Sequence, residues 1–154
     1  MSPLRILNSS EKNEVGKKLN RQFGINSIPQ TIVKHGKDKM FLFSGSLENK
    51  KIKLLEKAVY IERMGVYFGK VDERTKDIRL SIEGSQIFKS CINKNLFEIN
   101  DEQTQEWMKG NELRIKTGKR GFLVLKNKED FLGTGKASEE KIGNFIPKSR
   151  RLKN

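Results

Sequence analysis

The chain's 154 residues are enough for one ordinary domain or two small ones, and a hydrophobic content of 34% excludes a disordered polyelectrolyte. Its 32 Lys and Arg against 19 Asp and Glu give a formal net charge of +13, which predicts attraction to phosphate, although a lysine-rich solvated surface has the same composition. The single cysteine, Cys91, excludes an intramolecular disulfide, and without a secretory leader over residues 1–20 or a membrane-length apolar run we expect a soluble, cytoplasmic protein.

The first predicted element is a helix that begins near Asn8 and ends at Gly24. Asn8, Ser9 or Ser10 can accept a hydrogen bond from the free amides of the first turn, and glycine commonly closes a helix. Val15, Leu19 and Phe23 recur every four residues, so they form one apolar stripe that faces a core. The opposite face is rich in lysine, and we interpret it as solvated, with a phosphate contact as the alternative.

A β-hairpin is predicted next, because Thr31–Val33 and Met40–Phe43 flank a short polar turn. His35 is the only histidine and lies in that turn beside a glycine. With no cysteine or carboxylate cluster nearby, we interpret it as a turn residue rather than a metal ligand or a base. The lysine-rich segment Leu47–Tyr60 has the apolar spacing of a short helix that runs into a strand.

Three further strands are predicted over Tyr60–Met64, Val66–Val71 and Asp77–Ile82, the last with regular alternation of polar and apolar residues. A short helix and a polar connection follow over Glu83–Asn95. We place a domain boundary in this connection. It divides the chain into an α/β domain over residues 1–93 and a second domain over residues 94–154.

The second domain has the pattern of short strands joined by tight turns, with one helix over Glu102–Lys109 that ends at Gly110. Trp107 lies near the end of this helix without an aromatic partner at strand spacing. We interpret it as a core residue, with a base-stacking platform as the alternative. The predicted strands of this domain are Leu96–Ile99, Glu112–Lys116, Phe122–Leu125, Phe131–Leu132 and Asn144–Pro147.

Positive charge is concentrated at two places in this domain. Lys119 and Arg120 are adjacent in a turn that we expect to be exposed, and Lys148–Lys153 carries four positive charges and no negative one. Lys and Arg side chains of this kind bind phosphate, which makes a basic edge a candidate surface for a polyanion. The alternative for the second stretch is a frayed basic tail.

The C-terminal order of elements resembles the PUA domain, the RNA-binding fold named after pseudouridine synthases and archaeosine transglycosylases. The segments that carry the resemblance are MKGNEL at 108–113, FLVL at 122–125 and FLGTGKA at 131–137. Residues 131–152 also resemble the C-terminal module of Fmu-type rRNA cytosine methyltransferases. The strands and helix before the boundary resemble the pre-PUA layout of archaeal and eukaryotic factors that help to mature large-subunit ribosomal RNA.

The resemblance implies an α+β fold, in which a mixed α/β pre-PUA-like domain precedes a PUA-like β pseudobarrel with one short helix. It also implies that RNA lies along a groove beside that helix and a nearby edge strand. Affinity would come mainly from phosphate contacts and specificity from unpaired bases. The residues predicted to bind RNA are Gly110, Lys119, Arg120, Lys136, Lys141, Lys148, Arg150 and Arg151.

Neither a catalytic nor a cofactor site is predicted from the residues. A methyltransferase would need a glycine-rich turn between a strand and a helix, and a cytosine methyltransferase also a nucleophilic cysteine, usually beside a proline. Cys91 has no such neighbour, and no Cys and His residues have metal-ligand spacing. We therefore expect a binding protein without enzymatic activity, cofactor or metal.

The predicted partner is RNA, with rRNA or pre-rRNA favoured over tRNA, and the predicted role is in rRNA maturation or ribosome biogenesis. One alternative is a specificity or docking subunit that binds a separate rRNA or tRNA modification enzyme or a ribosome-assembly protein. DNA binding ranks last, because no second helix follows the first at the spacing of a recognition pair. No membrane association is expected.

Overall fold

The computed structural model describes residues 4–44 and 65–153, so the predictions for Leu47–Tyr60 and Tyr60–Met64 lie outside the described residues. The described part has three α-helices and two sheets, which confirms the predicted α+β class. Its first half contains β1 (Leu4–Ile6), α1 (Ser9–Phe23), β2 (Thr31–His35), β3 (Lys39–Phe43), β4 (Val66–Val71), β5 (Ile78–Leu80) and α2 (Ile82–Ile87). Its second half contains β6 (Leu96–Glu98), α3 (Asp101–Met108), β7 (Gly121–Asn127), β8 (Asp130–Ala137), β9 (Ile142–Asn144) and a 3-10 turn (Lys148–Arg150).

Helix α1 begins and ends where the sequence predicts. The Asn8 side chain accepts from the Glu11 amide and the Glu11 carboxylate accepts from the Asn8 amide, which is a complete capping box. Gly24 closes the helix at φ +81°, a left-handed conformation that glycine adopts without a steric penalty. Leu19 and Phe23 are fully buried, so the apolar stripe packs into the core as predicted.

The first sheet has the order β1-β2-β3-β4-β5, and every neighbouring pair is antiparallel. The hairpin of β2 and β3 is confirmed, with Thr31 opposite Phe43 and His35 opposite Lys39, so His35 directly precedes the turn. Strand β1 was not predicted. It has three residues, too few for a periodic pattern, and its pairing with β2 is what makes it a strand.

The second sheet has the order β6-β7-β8-β9, with β6 parallel to β7 and the other pairs antiparallel. One face of β7 carries Phe122 and Val124 into the hydrophobic cluster around α1. The other face carries Leu123 and Leu125 into a second cluster beneath α3. Because both faces are buried, β7 is continuously apolar from Phe122 to Leu125.

Trp107 is the largest residue of the second cluster and is fully buried, which confirms its interpretation as a core residue. Its indole Nε1 donates a hydrogen bond to the carbonyl oxygen of Leu132 at 3.0 Å. A Cβ added at Gly135 would lie 2.7 Å from the ring. The glycine in β8 therefore makes room for the tryptophan.

The two halves of the described chain pack on each other through a common core. Phe122, Val124 and Phe131 belong to the same cluster as Phe23 and Phe68. Two buried hydroxyl groups add hydrogen bonds across the contact, one linking Thr134 to the Leu80 amide at 2.9 Å and one linking Ser85 to the Gly133 amide at 3.0 Å. The domain boundary between residues 93 and 94 stays a prediction. The shared core and these two hydrogen bonds join the parts of the chain before and after it.

Two strand predictions in the second half were wrong. In Glu112–Lys116 only Leu113 pairs, through an isolated bridge to Ile142, because the Ile115 amide bonds back to the Leu113 carbonyl oxygen at 3.0 Å and curls the backbone. The last strand ends at Asn144 rather than continuing to residue 147. There the Asn144 side chain accepts from the Ile146 amide at 2.7 Å and forms a turn.

Removing the buried indole tests the second cluster. We expect Trp107→Ala to lower the free energy of unfolding by about 3–5 kcal/mol, because it leaves a large cavity and an unpaired carbonyl oxygen. Urea denaturation of the full chain measures this. Unchanged stability would contradict the role of the buried indole in holding the second cluster together.

The hydroxyl of Thr134 tests the contact between the halves. Thr134→Val keeps the shape of the side chain but leaves the buried Leu80 amide without its acceptor, so we expect a loss of about 1–3 kcal/mol in urea denaturation. Thr104→Val is the matched control, since that hydroxyl donates to the Asn100 carbonyl oxygen at an exposed helix end. Equal effects of the two substitutions would contradict a special role for Thr134.

Candidate nucleic-acid interface

The C-terminal segment, residues 145–152, is held against α3 by hydrogen bonds. Just before it, the Asn144 side chain donates to the Trp107 carbonyl oxygen at 2.8 Å. Near its end, the Leu152 amide donates to the Met108 carbonyl oxygen at 2.7 Å. The basic stretch is thus anchored at both ends, in contrast to the frayed tail that the sequence left as an alternative.

Two of the predicted RNA-binding residues, Gly110 and Arg151, contact each other. Gly110 follows α3 at φ +93°, and a Cβ added there would overlap Nε of Arg151. That Nε donates to the Ile146 carbonyl oxygen at 2.9 Å. The Arg151 side chain therefore closes the loop of the C-terminal segment onto the end of α3, and its RNA contact stays a prediction.

Arg150 links the C-terminal segment to the first half of the chain. Its guanidinium donates to the carboxylate of Glu83, in the first turn of α2, and the two form an ion pair. Roughly half of the Arg150 side chain remains exposed, at 51%. Part of its charge is consequently available to a ligand, and part is neutralised within the protein.

Three predicted cations are exposed and have no ion-pair partner in residues 4–44 and 65–153. Lys148 lies in the 3-10 turn of the C-terminal segment. Lys119 and Arg120 lie in the turn before β7, where the Thr117 hydroxyl accepts from the Lys119 amide at 3.0 Å and fixes the turn. These three are the side chains best placed to exchange water and counterions for phosphate.

The last two predicted residues have other surroundings. Lys136 lies half-buried on β8. The pKa of Asp72 is lowered, mainly by a hydrogen bond from the Thr75 amide and in small part by the positive charge of Lys136. Lys141 pairs with the Glu112 carboxylate at 2.7 Å. The structure thus brings Gly110, Arg150 and Arg151 together with Lys148. Lys136 and Lys141 instead have acidic side chains of the same chain as neighbours.

A cleft of about 410 Å³ separates the C-terminal segment from β4, β5 and the start of α2. We call it the Arg79 cleft, after the residue on β5 whose guanidinium lies over the ring of Phe145, 4.1 Å from the centroid. Tyr67, Glu83 and Arg150 also line it. Sequence reasoning did not identify this site. The polar position of Arg79 in an alternating strand indicated an exposed face, but nothing in the sequence indicated that Arg79 contacts Phe145.

Residues 94–152 match the family model described as the methyltransferase RsmF PUA domain. This part of the chain is a PUA domain. The match confirms the resemblance to the C-terminal module of Fmu-type methyltransferases, and PUA domains bind RNA, which supports RNA as a partner. No curated protein matches the chain. The resemblance of residues before 94 to a pre-PUA domain stays a prediction.

Within 4–44 and 65–153, no group of three or more His, Cys, Asp and Glu side chains could hold a metal ion. In the same residues, none of the helices has the length and apolar composition needed to cross a bilayer.

The contact of Gly110 with Arg151 can be tested by adding one methyl group. We expect Gly110→Ala to displace the Arg151 side chain and to speed hydrogen exchange of the Leu152 amide at least several-fold, with a drop in stability of about 1 kcal/mol or more. Amide exchange followed by NMR on the full chain measures both.

Gly118→Ala is the matched control for this substitution. Gly118 also has a positive φ, +73°, but an added Cβ meets no atom within 4 Å. It carries the same kind of backbone strain without the contact, so the Leu152 amide should keep its exchange rate. Equal acceleration by both substitutions would mean that Gly110 acts through backbone strain alone.

Proposed function

We propose that the protein is a non-catalytic RNA-binding factor of rRNA maturation or ribosome biogenesis, acting in the cytoplasm. The observation that carries the proposal is the PUA match over residues 94–152 combined with exposed cations on that same domain. Lys119, Arg120 and Lys148 supply positive charge without acidic partners among the described residues. An RNA backbone is the polyanion that such a domain would neutralise.

In the proposed function, phosphate contacts set the affinity for RNA and base contacts set the specificity. Lys119 and Lys148 bind phosphate as point charges, and Arg120 offers a bidentate fork. These contacts set affinity and make it strongly dependent on salt, since each neutralised phosphate releases counterions. Specificity requires unstacked bases, because the deep major groove of an RNA duplex does not admit side chains.

A second candidate function is a specificity or docking subunit for a separate rRNA or tRNA modification enzyme. It is favoured by the matched family model, which describes the PUA domain of a methyltransferase. In that case the chain would contribute RNA binding while a partner contributes the chemistry. Co-purification of the full chain with such an enzyme, and loss of the complex on washing with RNase, would distinguish a bridge made by RNA from direct protein contact.

A matched pair of charge reversals tests RNA binding by the PUA domain. The first variant is Lys119→Glu with Lys148→Glu, and the second is Lys17→Glu with Lys89→Glu. All four lysines lack an ion-pair partner among the described residues, and the two variants change the net charge equally. Binding to structured rRNA fragments, single-stranded RNA and duplex DNA is measured across a salt series.

We expect the first variant to weaken RNA binding more than tenfold and the second to weaken it much less. The slope of log K against log salt should become shallower by about 0.7 for each single-strand phosphate that the variant no longer neutralises. Equal weakening by both variants, with no preference among the nucleic acids, would mean that the net charge of +13 acts without a defined site. Thermal unfolding of both variants controls for loss of the fold.

A further inference from the structure

The Arg79 cleft is built from two separate parts of the chain. One wall comes from β4, β5 and the first turn of α2, all of which lie before the PUA match. The other wall comes from the C-terminal segment, through Phe145, Pro147, Ser149 and Arg150. A volume of about 410 Å³ falls in the range of small-ligand clefts, about 300–1,000 Å³. The PUA domain alone would supply only half of this site.

The walls offer flat, stackable surfaces. Phe145 is 38% exposed as a residue, although its ring packs edge-on against that of Phe122, with the centroids 6.0 Å apart. The Arg79 guanidinium covers part of the ring. Tyr67 lines the cleft from β4, and burial raises the pKa of its hydroxyl, an effect that the charge of Arg79 partly opposes. Aromatic rings and a planar guanidinium are the groups on which proteins stack unpaired bases.

The charged groups of the cleft fit a base that is attached to a phosphate backbone. Among the described residues its charged lining consists of Arg79, Arg150 and Glu83, which leaves an excess of positive charge. The paired Glu83 side chain is 32% exposed, and its carboxylate can accept hydrogen bonds from an exocyclic amino group. Lys148 lies exposed in the turn that carries Arg150, where it can meet the flanking phosphates.

We propose that the Arg79 cleft binds a single unstacked base of an RNA loop or single strand. The base stacks on the surface formed by Arg79 and Phe145, with Tyr67 and Glu83 at its edges. This inference rests on the proposed RNA-binding function and adds its ligand class, an unpaired nucleotide. It also assigns part of the binding site to residues 65–83, which lie outside the matched domain.

The test compares two RNAs of equal length and charge with the full chain. One is a hairpin whose loop carries 2-aminopurine, and the other is a fully paired duplex carrying the same label. The cleft variants are Arg79→Gln and Phe145→Leu. Arg74→Gln is the control, because it removes the same charge from an exposed turn of the same half, outside the cleft.

We expect the wild-type chain to quench 2-aminopurine in the loop but not in the duplex. Each cleft variant should lose most of that quenching and weaken loop binding by about five- to a hundredfold, the range for one stacked base, with little change for the duplex. Arg74→Gln should keep the quenching. Because Phe145 contacts Phe122, thermal unfolding accompanies each measurement, and Arg79→Gln tests the cleft without altering the aromatic contact.

Two failures are distinguishable. If the wild-type chain binds the loop RNA but neither cleft variant affects quenching or affinity, the cleft is not a base site and only this inference falls. Equal weakening of loop and duplex binding by Arg79→Gln would mean that Arg79 is a general phosphate contact, which also overturns only this inference. If the wild-type chain binds neither RNA at physiological salt, the proposed function falls together with the inference.

Discussion

The structure depends on the burial of the second sheet between two hydrophobic clusters. Phe122 and Val124 point into one cluster and Leu123 and Leu125 into the other, so the strand that carries them cannot slip by one residue without exchanging its faces. The neighbouring strand β8 is held by the Thr134 hydroxyl on one side and faces the Trp107 indole on the other. Both halves of the chain are therefore oriented by the same two strands.

This arrangement decides where the C-terminal segment can lie. The segment leaves β9, contacts the end of α3 through Arg151 and Leu152, and reaches α2 through the ion pair of Arg150 with Glu83. An exposed ion pair contributes little stability by itself. Its consequence is positional, since it joins the anchored segment to α2, and the segment forms the second wall of the Arg79 cleft. The exposed Lys148 and the Phe145 side of the Arg79 cleft thus lie on one anchored segment.

Several features of the fold were predictable because their causes are local. Asn8 and Gly24 bound α1 through hydrogen bonds and backbone conformations that involve only their near neighbours. Trp107 was correctly assigned to the core on its isolation from other aromatic residues. The strand predicted over Glu112–Lys116 failed because a bond from the Ile115 amide to Leu113 competes with extended pairing. Gly135 of β8 accommodates the ring of Trp107 from a distant helix, a contact that no local pattern indicates.

Phosphate binding by individual Lys and Arg residues stays a prediction, whereas the sequence by itself determined the first helix and hairpin, the PUA resemblance of the second half and the excess of positive charge. These follow from composition, periodicity and short motifs, which need no knowledge of distant contacts. Only the tertiary structure decided which cations are exposed, which are paired, and that Arg79 meets Phe145. Charge and polarity are properties of single residues, whereas a cleft or an ion pair depends on the packing of segments far apart in the chain.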